Sequence, residues 1–334
     1  MHVSTAVWIV SILVVLGLFV FDFFSHVRTP HEPTLKESGF WSAVYIGLAV
    51  LFGFGVWAVS GSKYGGEFFA GFVTEKALSV DNLFVFVIIM AKFAVPRIYQ
   101  QKVLLIGIVM ALVMRGLFIA VGAAAINTYS WVFYLFGAFL LYTAIKLVKE
   151  AVEGPVEDEE EREGRVAAFF KRFVPTTEQY DGDKLITKVD GKKVATPLLL
   201  ALVVIGFTDV LFALDSIPAI YGLTQEPYLV FMANAFALMG LRQLYFLIGG
   251  LLDRLVYLSY GLSIVLGFIG VKLVLHALHE NTLPFINGGE HVAVPEISTG
   301  MSLSVIIGVL VITTVASLAK SKRDGRKSVD SGND

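Results

Sequence analysis

The chain alternates long apolar runs with short polar breaks, and most runs show no polar face at helical spacing. A run such as "AVWIVSILVVLGLFVFDFF" near the start has the roughly 20 residues that a helix needs to cross a bilayer. The pattern predicts nine helical spans, at 5–24, 40–60, 67–91, 103–125, 131–149, 198–221, 228–251, 254–275 and 301–320. The expected architecture is an all-α polytopic membrane protein. Its parts are two N-terminal spans (1–66), a three-helix unit (67–149), a polar stretch (150–197), a second three-helix unit (198–275), a loop (276–300) and a last span with a basic tail (301–334). No Lys or Arg precedes the first run and no small-x-small site follows it, so it reads as an uncleaved helix rather than a signal peptide.

The polar stretch has its own pattern. The acidic run at 157–163 reads as solvated. Residues 165–175 place Val166, Phe169, Phe170 and Phe173 on one helical face, which suits a helix lying on the membrane surface. "KLITKVDGKKVAT" predicts a small hairpin turning at Asp190-Gly191.

Composition sharpens the picture. The chain is 56% hydrophobic and 16% charged, with mean hydropathy +0.74. Soluble domains average about 45–50% apolar and about 25% charged. A net charge of -2 gives no bulk argument for nucleic acid. There is no cysteine, which removes disulfides, thiolate metal sites and cysteine nucleophiles. A bound metal would be held by oxygen, or secondarily by nitrogen, which favours hard ions such as Mg²⁺, Ca²⁺ or Mn²⁺. No phosphate loop, nucleophile triad or zinc-protease helix occurs, so neither an enzyme nor a permanently bound cofactor is expected.

Charge also orients the spans. With the N-terminus outside, 21 of the 26 Lys and Arg fall in cytoplasmic segments or at their borders, and the external segments hold only Lys63. This places the C-terminus in the cytoplasm of a bacterial inner-membrane protein.

The remaining charges lie within spans. "TEKALSVDN" (74–82) carries Glu75, Lys76 and Asp81, and "TDVLFALDS" (208–216) carries Asp209 and Asp215. Both stretches read Thr, acid, five residues, Asp, then a small polar side chain. Two more landmarks follow in the same order, a buried arginine (Arg115, Arg242) and a Lys-Leu-Val helix end (Lys146, Lys272). Each unit has three helices, an odd number, so the second unit runs inverted relative to the first. Secondary transporters with such repeats bind ions near the midplane between the halves.

Each charge at a bilayer centre costs about 2.5–3.5 kcal/mol. Glu75, Asp81, Asp209 and Asp215 must therefore face the interior, find partners or take up protons. Six helical residues turn the chain by about 240°, so Glu75 and Asp81 share no face of an unbroken helix. Inverted symmetry predicts Glu75 level with Asp215 in an outer layer, and Asp81 with Asp209 in an inner one. Asn82, Ser216 and Asn234 supply further oxygen ligands, and Pro218 frees the Leu214 carbonyl. Arg115 and Arg242 read as tethered counter-charges to the acids or as plain ion pairs. Lys76 snorkels or joins an acid. Asp22 reads as a boundary residue at the inner end of the first span. His276, His279 and Glu280, with Glu290 and His291, form a loop cluster that either gathers an ion or is an ordinary polar loop.

At "EKALSVDNLFVF", "FTDVLFALDSIPAI", "GLRQLYFLIGGL" and "ATPLLLAL" the sequence resembles the TerC family, named for tellurium resistance, and its Alx-like branch. The likeness runs from the first span to the last. The resemblance implies export of Mn²⁺, with Glu75, Asp81, Asp209 and Asp215 matching the family's acids. An acidic path repels an oxyanion, so tellurite itself is not the expected cargo. Three readings follow. One is a proton-coupled exporter of divalent cations, chiefly Mn²⁺. A second is an exporter of Ca²⁺ or a small solute. A third is a non-transporting scaffold for a metal-stress or secreted-enzyme maturation complex. The expected partners are a divalent ion, protons and the lipid bilayer, with a homo-oligomer or membrane partner left open.

Overall fold

The computed structural model describes residues 1, 3–27, 32–153, 158–189, 191–248 and 255–330. The chain runs α1 (Thr5–Asp22), a π-helical turn (Phe23–Val27), α2 (Leu35–Ser60), α3 (Ser62–Lys92), α4 (Arg97–Thr128), α5 (Val132–Glu153), α6 (Asp158–Phe173) and the strands β1 (Ile186–Val189) and β2 (Lys192–Ala195). It continues through α7 (Pro197–Tyr221), α8 (Pro227–Met239), α9 (Leu241–Ile248), α10 (Leu258–His279) and α11 (Thr299–Asp330). Local chemistry sets several ends. Ser4 and Thr34 cap α1 and α2 by accepting the Val7 and Glu37 amides. Proline opens α7 and α8, where a missing N–H costs nothing. Gly61, at φ +95°, closes α2.

Among the described residues eight segments are long and apolar enough to cross a membrane: α1, α2, α4, α5, α7, α8 with α9, α10 and α11. The protein is thus an all-α polytopic membrane protein. The ninth expected span, α3, has 31 residues but interrupts its apolar run with Glu67, Glu75, Lys76 and Asp81. It lies inside the bundle against α2, α7, α8 and α11, where Glu67, Glu75 and Lys76 find polar neighbours instead of lipid. The expected span at 228–251 is not one helix, because it breaks at Gly240 into α8 and α9. Pro218, by contrast, sits inside α7 without ending it. α8 is buried nearly all round at the centre, whereas α1, α2 and α11 expose broad apolar faces.

Close contacts fix the directions of the central helices. Gly71 meets Ala233 and Lys76 meets Ala237, so α3 and α8 run parallel. Gly107 meets Ile205 and Gly122 meets Tyr221, so α4 and α7 also run parallel. On the seam of α5 and α10, Gly137 lies against Gly270 and Ala144 against Gly267, so this pair runs antiparallel. Lacking side chains, Gly137 and Gly270 bring the two backbones together; a Cβ built on either would meet the other's carbonyl oxygen at 3.0–3.1 Å.

The polar stretch folds largely as its pattern predicts. β1 and β2 form an antiparallel hairpin with Ile186 opposite Ala195. Gly191 takes the left-handed turn position at φ +76°, while Asp190 lies outside the described residues. The expected apolar face of α6 is divided. Val166 and Ala167 pack into the core, whereas Phe169 and Phe173 are exposed and lie tilted against each other with ring centroids 4.9 Å apart.

Candidate functional site

Halfway along α4, the fully buried Arg115 gathers groups from three other helices. Its guanidinium pairs with Glu75 of α3 and with Asp209 of α7, donating to both Asp209 oxygens at 3.1 and 3.4 Å. It also donates to Asn234 Oδ1 of α8 at 3.0 Å. Asn234 is held by its own donation to the Val230 carbonyl, one turn back. With its amide assigned in the orientation that satisfies both neighbours, Asn82 donates to the Leu78 carbonyl at 3.1 Å and accepts from Arg115 at 3.2 Å. The spacing of Glu75, Leu78 and Asn82 puts all three on one stripe of α3, which explains why Glu75 and Asn82 reach the same cation. All five side chains are buried. Two carboxylates against one guanidinium leave a formal surplus of one negative charge, far from solvent.

Other groups near this cluster stay unsatisfied. Thr74, Ser79 and Ser216 have buried hydroxyls with no hydrogen-bond partner among the described residues. Neither oxygen of Glu75 makes a further hydrogen bond there. Unspent buried acceptors are costly and uncommon, and they leave coordinating capacity for a cation or a proton.

The expected outer layer of Glu75 with Asp215 does not form, and the inner one turns on Asp81, whose side chain lies outside the described residues. Glu75 and Asp209 are joined through one guanidinium rather than lying in separate layers. Asp215 is turned away toward α5, where Thr143 donates to it at 3.0 Å. Six residues of α7 separate the two acids, so they take different neighbours, as helical rotation requires. α3 is likewise unbroken between Glu75 and Asp81, and the side chain of Asp81 lies outside the described residues. Among the described residues no three His, Asp or Glu side chains converge on one point as a preformed metal cage.

Two of the three expected counter-charges belong elsewhere. Arg242, at the start of α9, pairs with Asp22 at 2.7 Å and donates to Gln101. Asp22 also accepts from Tyr45 at 2.9 Å and from Gln243 at 3.3 Å. The break at Gly240 swings Arg242 toward the end of α1 and away from the midplane acids. Asp22 is accordingly a buried ion-pair partner, not a boundary residue. Lys76 does not snorkel and meets no acid among the described residues. Its ammonium donates to the Ala237 carbonyl at 3.0 Å, in the last turn of α8. A cation there satisfies a carbonyl that the break at Gly240 leaves open, and it sits at the negative end of the helix dipole. A Cβ at Gly240 would stand 3.0 Å from that ammonium, so glycine makes the room.

The loop cluster dissolves into pairs, His276 with Glu280, His279 with Glu296, and His279 stacked edge-on against His291. Glu290 offers its backbone carbonyl to Asn281. A feature not anticipated from sequence lies near Met1. A cavity of about 320 Å³ is lined by Lys63, Tyr64, Glu67, Thr224, Glu226 and Lys272, among others. Glu67 was legible as one more acid on the α3 stripe, four residues before Gly71 and eight before Glu75.

Known proteins share this framework. An uncharacterized membrane protein of Mycobacterium tuberculosis is 53% identical over 317 residues, covering 95% of this chain and 80% of the relative. The thylakoid membrane protein TERC of Arabidopsis thaliana is 42% identical over 275 residues, 82% of this chain and 70% of its own. A Salmonella typhi protein, Alx, described as a membrane-bound redox modulator, is 34% identical over 315 residues, 91% of each chain. No solved structure matches. Residues 60–325, from just before α3 well into α11, match the family of integral membrane proteins called TerC, and to that family this chain belongs.

Proposed function

We propose that the protein exports divalent metal cations, Mn²⁺ foremost, across the bacterial inner membrane in exchange for protons. The observation that carries this reading is the meeting of Glu75 and Asp209 on Arg115. Two acids from two different helices share a single fixed cation in the middle of the bundle. The chain's own guanidinium holds the acids while the path is empty. An entering divalent ion takes the carboxylates, and Arg115 falls back on the amide oxygens of Asn234 and Asn82. Protons on the carboxylates release the metal. Asp81 and Asp215 belong to the same path on either side of the cluster, with Ser216 as a further oxygen donor. All four acids are oxygen ligands, suited to Mn²⁺ or Ca²⁺.

The helix directions support an inverted repeat of α3–α5 against α7–α10. The α3–α8 and α4–α7 pairs are parallel and equivalent under such a two-fold axis, and α5 against α10 is antiparallel, as a helix and its symmetry mate must be. The excess of basic residues sets the N-terminus outside and α6 with the hairpin inside. The redox description of the Alx relative fits the same reading without thiols, because the chain has no cysteine and moving a redox-active metal alters redox balance. Reconstituted vesicles with an imposed pH gradient test the proposal. Mn²⁺ uptake should follow the gradient and vanish in Asp209→Asn and Glu75→Gln. Uptake that ignores the gradient, or survives in both variants, would refute it.

A further inference from the structure

The cavity near Met1 and the cluster at Arg115 lie along one helix. Glu67, Gly71, Glu75 and Asn82 follow each other at four-, four- and seven-residue intervals, and Thr74 lies three residues after Gly71, so they share one stripe of α3. Glu67 is only 6% exposed yet lines the cavity. The other acid there, Glu226, is taken by the Met1 amino group. Lys272 is tied to the Ser302 hydroxyl at 3.1 Å. For Glu67 the described hydrogen bond comes from a neutral group, the Thr224 hydroxyl, at 2.7 Å. One turn further in, the stripe narrows. A Cβ at Gly71 would lie 3.3 Å from the Ile220 methyl and 3.4 Å from the Ala233 methyl. Beyond that pinch sits the Thr74 hydroxyl, fully buried and without a hydrogen-bond partner among the described residues.

We infer that this cavity is the outward port of the ion path, that Glu67 with the Thr224 hydroxyl is a second divalent-cation site within it, and that Gly71, Ile220 and Ala233 form the constriction separating the port from Arg115. The inference rests on the export reading. The port suits release rather than storage. Lys63 and Lys272 face the same space, so a divalent ion reaching Glu67 meets one carboxylate and two repelling ammonium groups. Lys272 is positioned to cover the carboxylate once the ion has gone.

The absence of cysteine makes single-cysteine reporters clean. Thr224→Cys and Thr74→Cys in oriented vesicles would be treated with a small, membrane-impermeant methanethiosulfonate. Thr224→Cys should label from the external side, and Thr74→Cys at least about tenfold more slowly, a difference of about 1.4 kcal/mol in barrier. Adding Ile220→Ala should bring Thr74→Cys close to the Thr224→Cys rate. Mn²⁺ should slow labelling of Thr299→Cys, a reporter on the cavity wall that leaves Glu67 and Thr224 intact, about threefold or more, by mass action, and Glu67→Gln should remove that protection. Labelling of Thr224→Cys from the cytoplasmic side alone would overturn the port. Fast labelling of Thr74→Cys with Ile220 in place would overturn the constriction, and indifference to Mn²⁺ would overturn the cation site. None of these readouts depends on turnover, so a protein that labels as expected but moves no Mn²⁺ would count against export and not against the port.

Discussion

Arg115 and Arg242 occupy matching places in the sequence repeat but sit in opposite kinds of site. Arg242 meets one acid, Asp22, whose carboxylate is also held by Tyr45 and Gln243. Charge balances there, at the junction of α1, α2, α4 and α9, although Arg242 Nε and Gln243 Oε1 have no hydrogen-bond partner among the described residues. Arg115 meets two acids, and neither Glu75 oxygen has a hydrogen bond to spare it from wanting more. A balanced pair behaves as a clamp. An unbalanced one can exchange its cation for another. Burial alone does not separate the two arginines, since both are almost wholly enclosed; the count of acids does.

The comparison breaks most readily by removing each cation. Arg115→Met leaves two buried carboxylates without their cation, whereas Arg242→Met leaves Asp22 with the hydrogen bonds from Tyr45 and Gln243. Removing one partner of a buried pair costs about 3–5 kcal/mol, so both variants should lose stability in a thermal melt, Arg115→Met more. Pairing each change with loss of its acid sharpens the contrast. Arg242→Met with Asp22→Asn should recover most of the melting temperature and keep transport. Arg115→Met with Asp209→Asn should recover stability in part and still transport nothing.

Neutralising a single acid at the unbalanced site should have a smaller structural effect. Glu75→Gln keeps the Arg115–Asp209 pair, so stability should change by about 1 kcal/mol or less, while gradient-driven Mn²⁺ uptake is lost. A large fall in stability with uptake intact would make the Arg115 site a clamp like the other. Smaller again is Lys76→Met, which removes the cation from the end of α8. A favourable helix-end charge is worth about 0.3–1 kcal/mol when exposed and up to about 2 when partly buried, so the melting temperature should drop modestly.

The smallest effect concerns the hairpin region. A hydrogen bond from Lys102 holds the Asp183 carboxyl below the usual carboxylate range. A depressed folded pKa means that this contact contributes above the unfolded value, about 3.9, and is lost as pH falls through the lower folded one. Limited proteolysis between 174 and 197 should therefore rise only in strong acid, and Lys102→Met should flatten that dependence.

Much of this was readable from residue chemistry. Apolar runs of membrane length placed the helices, and the cost of buried charge singled out Glu75 and Asp209 before any contact was known. The repeat carried the argument further at Arg115 than at Arg242. "ALMGLRQLYF" reads as unbroken apolar helix, and nothing local reveals that Gly240 will interrupt it to admit the Lys76 ammonium. The break then carries Arg242 to Asp22, a partner 220 residues away in sequence, which no periodicity could announce. Asp22 was misread for the same reason: its place at a span end concealed that α2, α4 and α9 close over it. The port around Glu67 was hidden because its walls come from four separate helix ends and a loop, each unremarkable alone.

The meeting of Gly137 with Gly270 has a mechanical consequence. Main chain lies close to main chain there, with the Val274 and Leu141 side chains wedged alongside, which leaves little room to absorb a change in spacing. The two halves of the molecule cannot part along that line without opening a void in the bundle. On the export reading, a rocking motion would pivot on this seam, with the widest swing on the flank of α1 and α2, whose broad apolar faces are exposed.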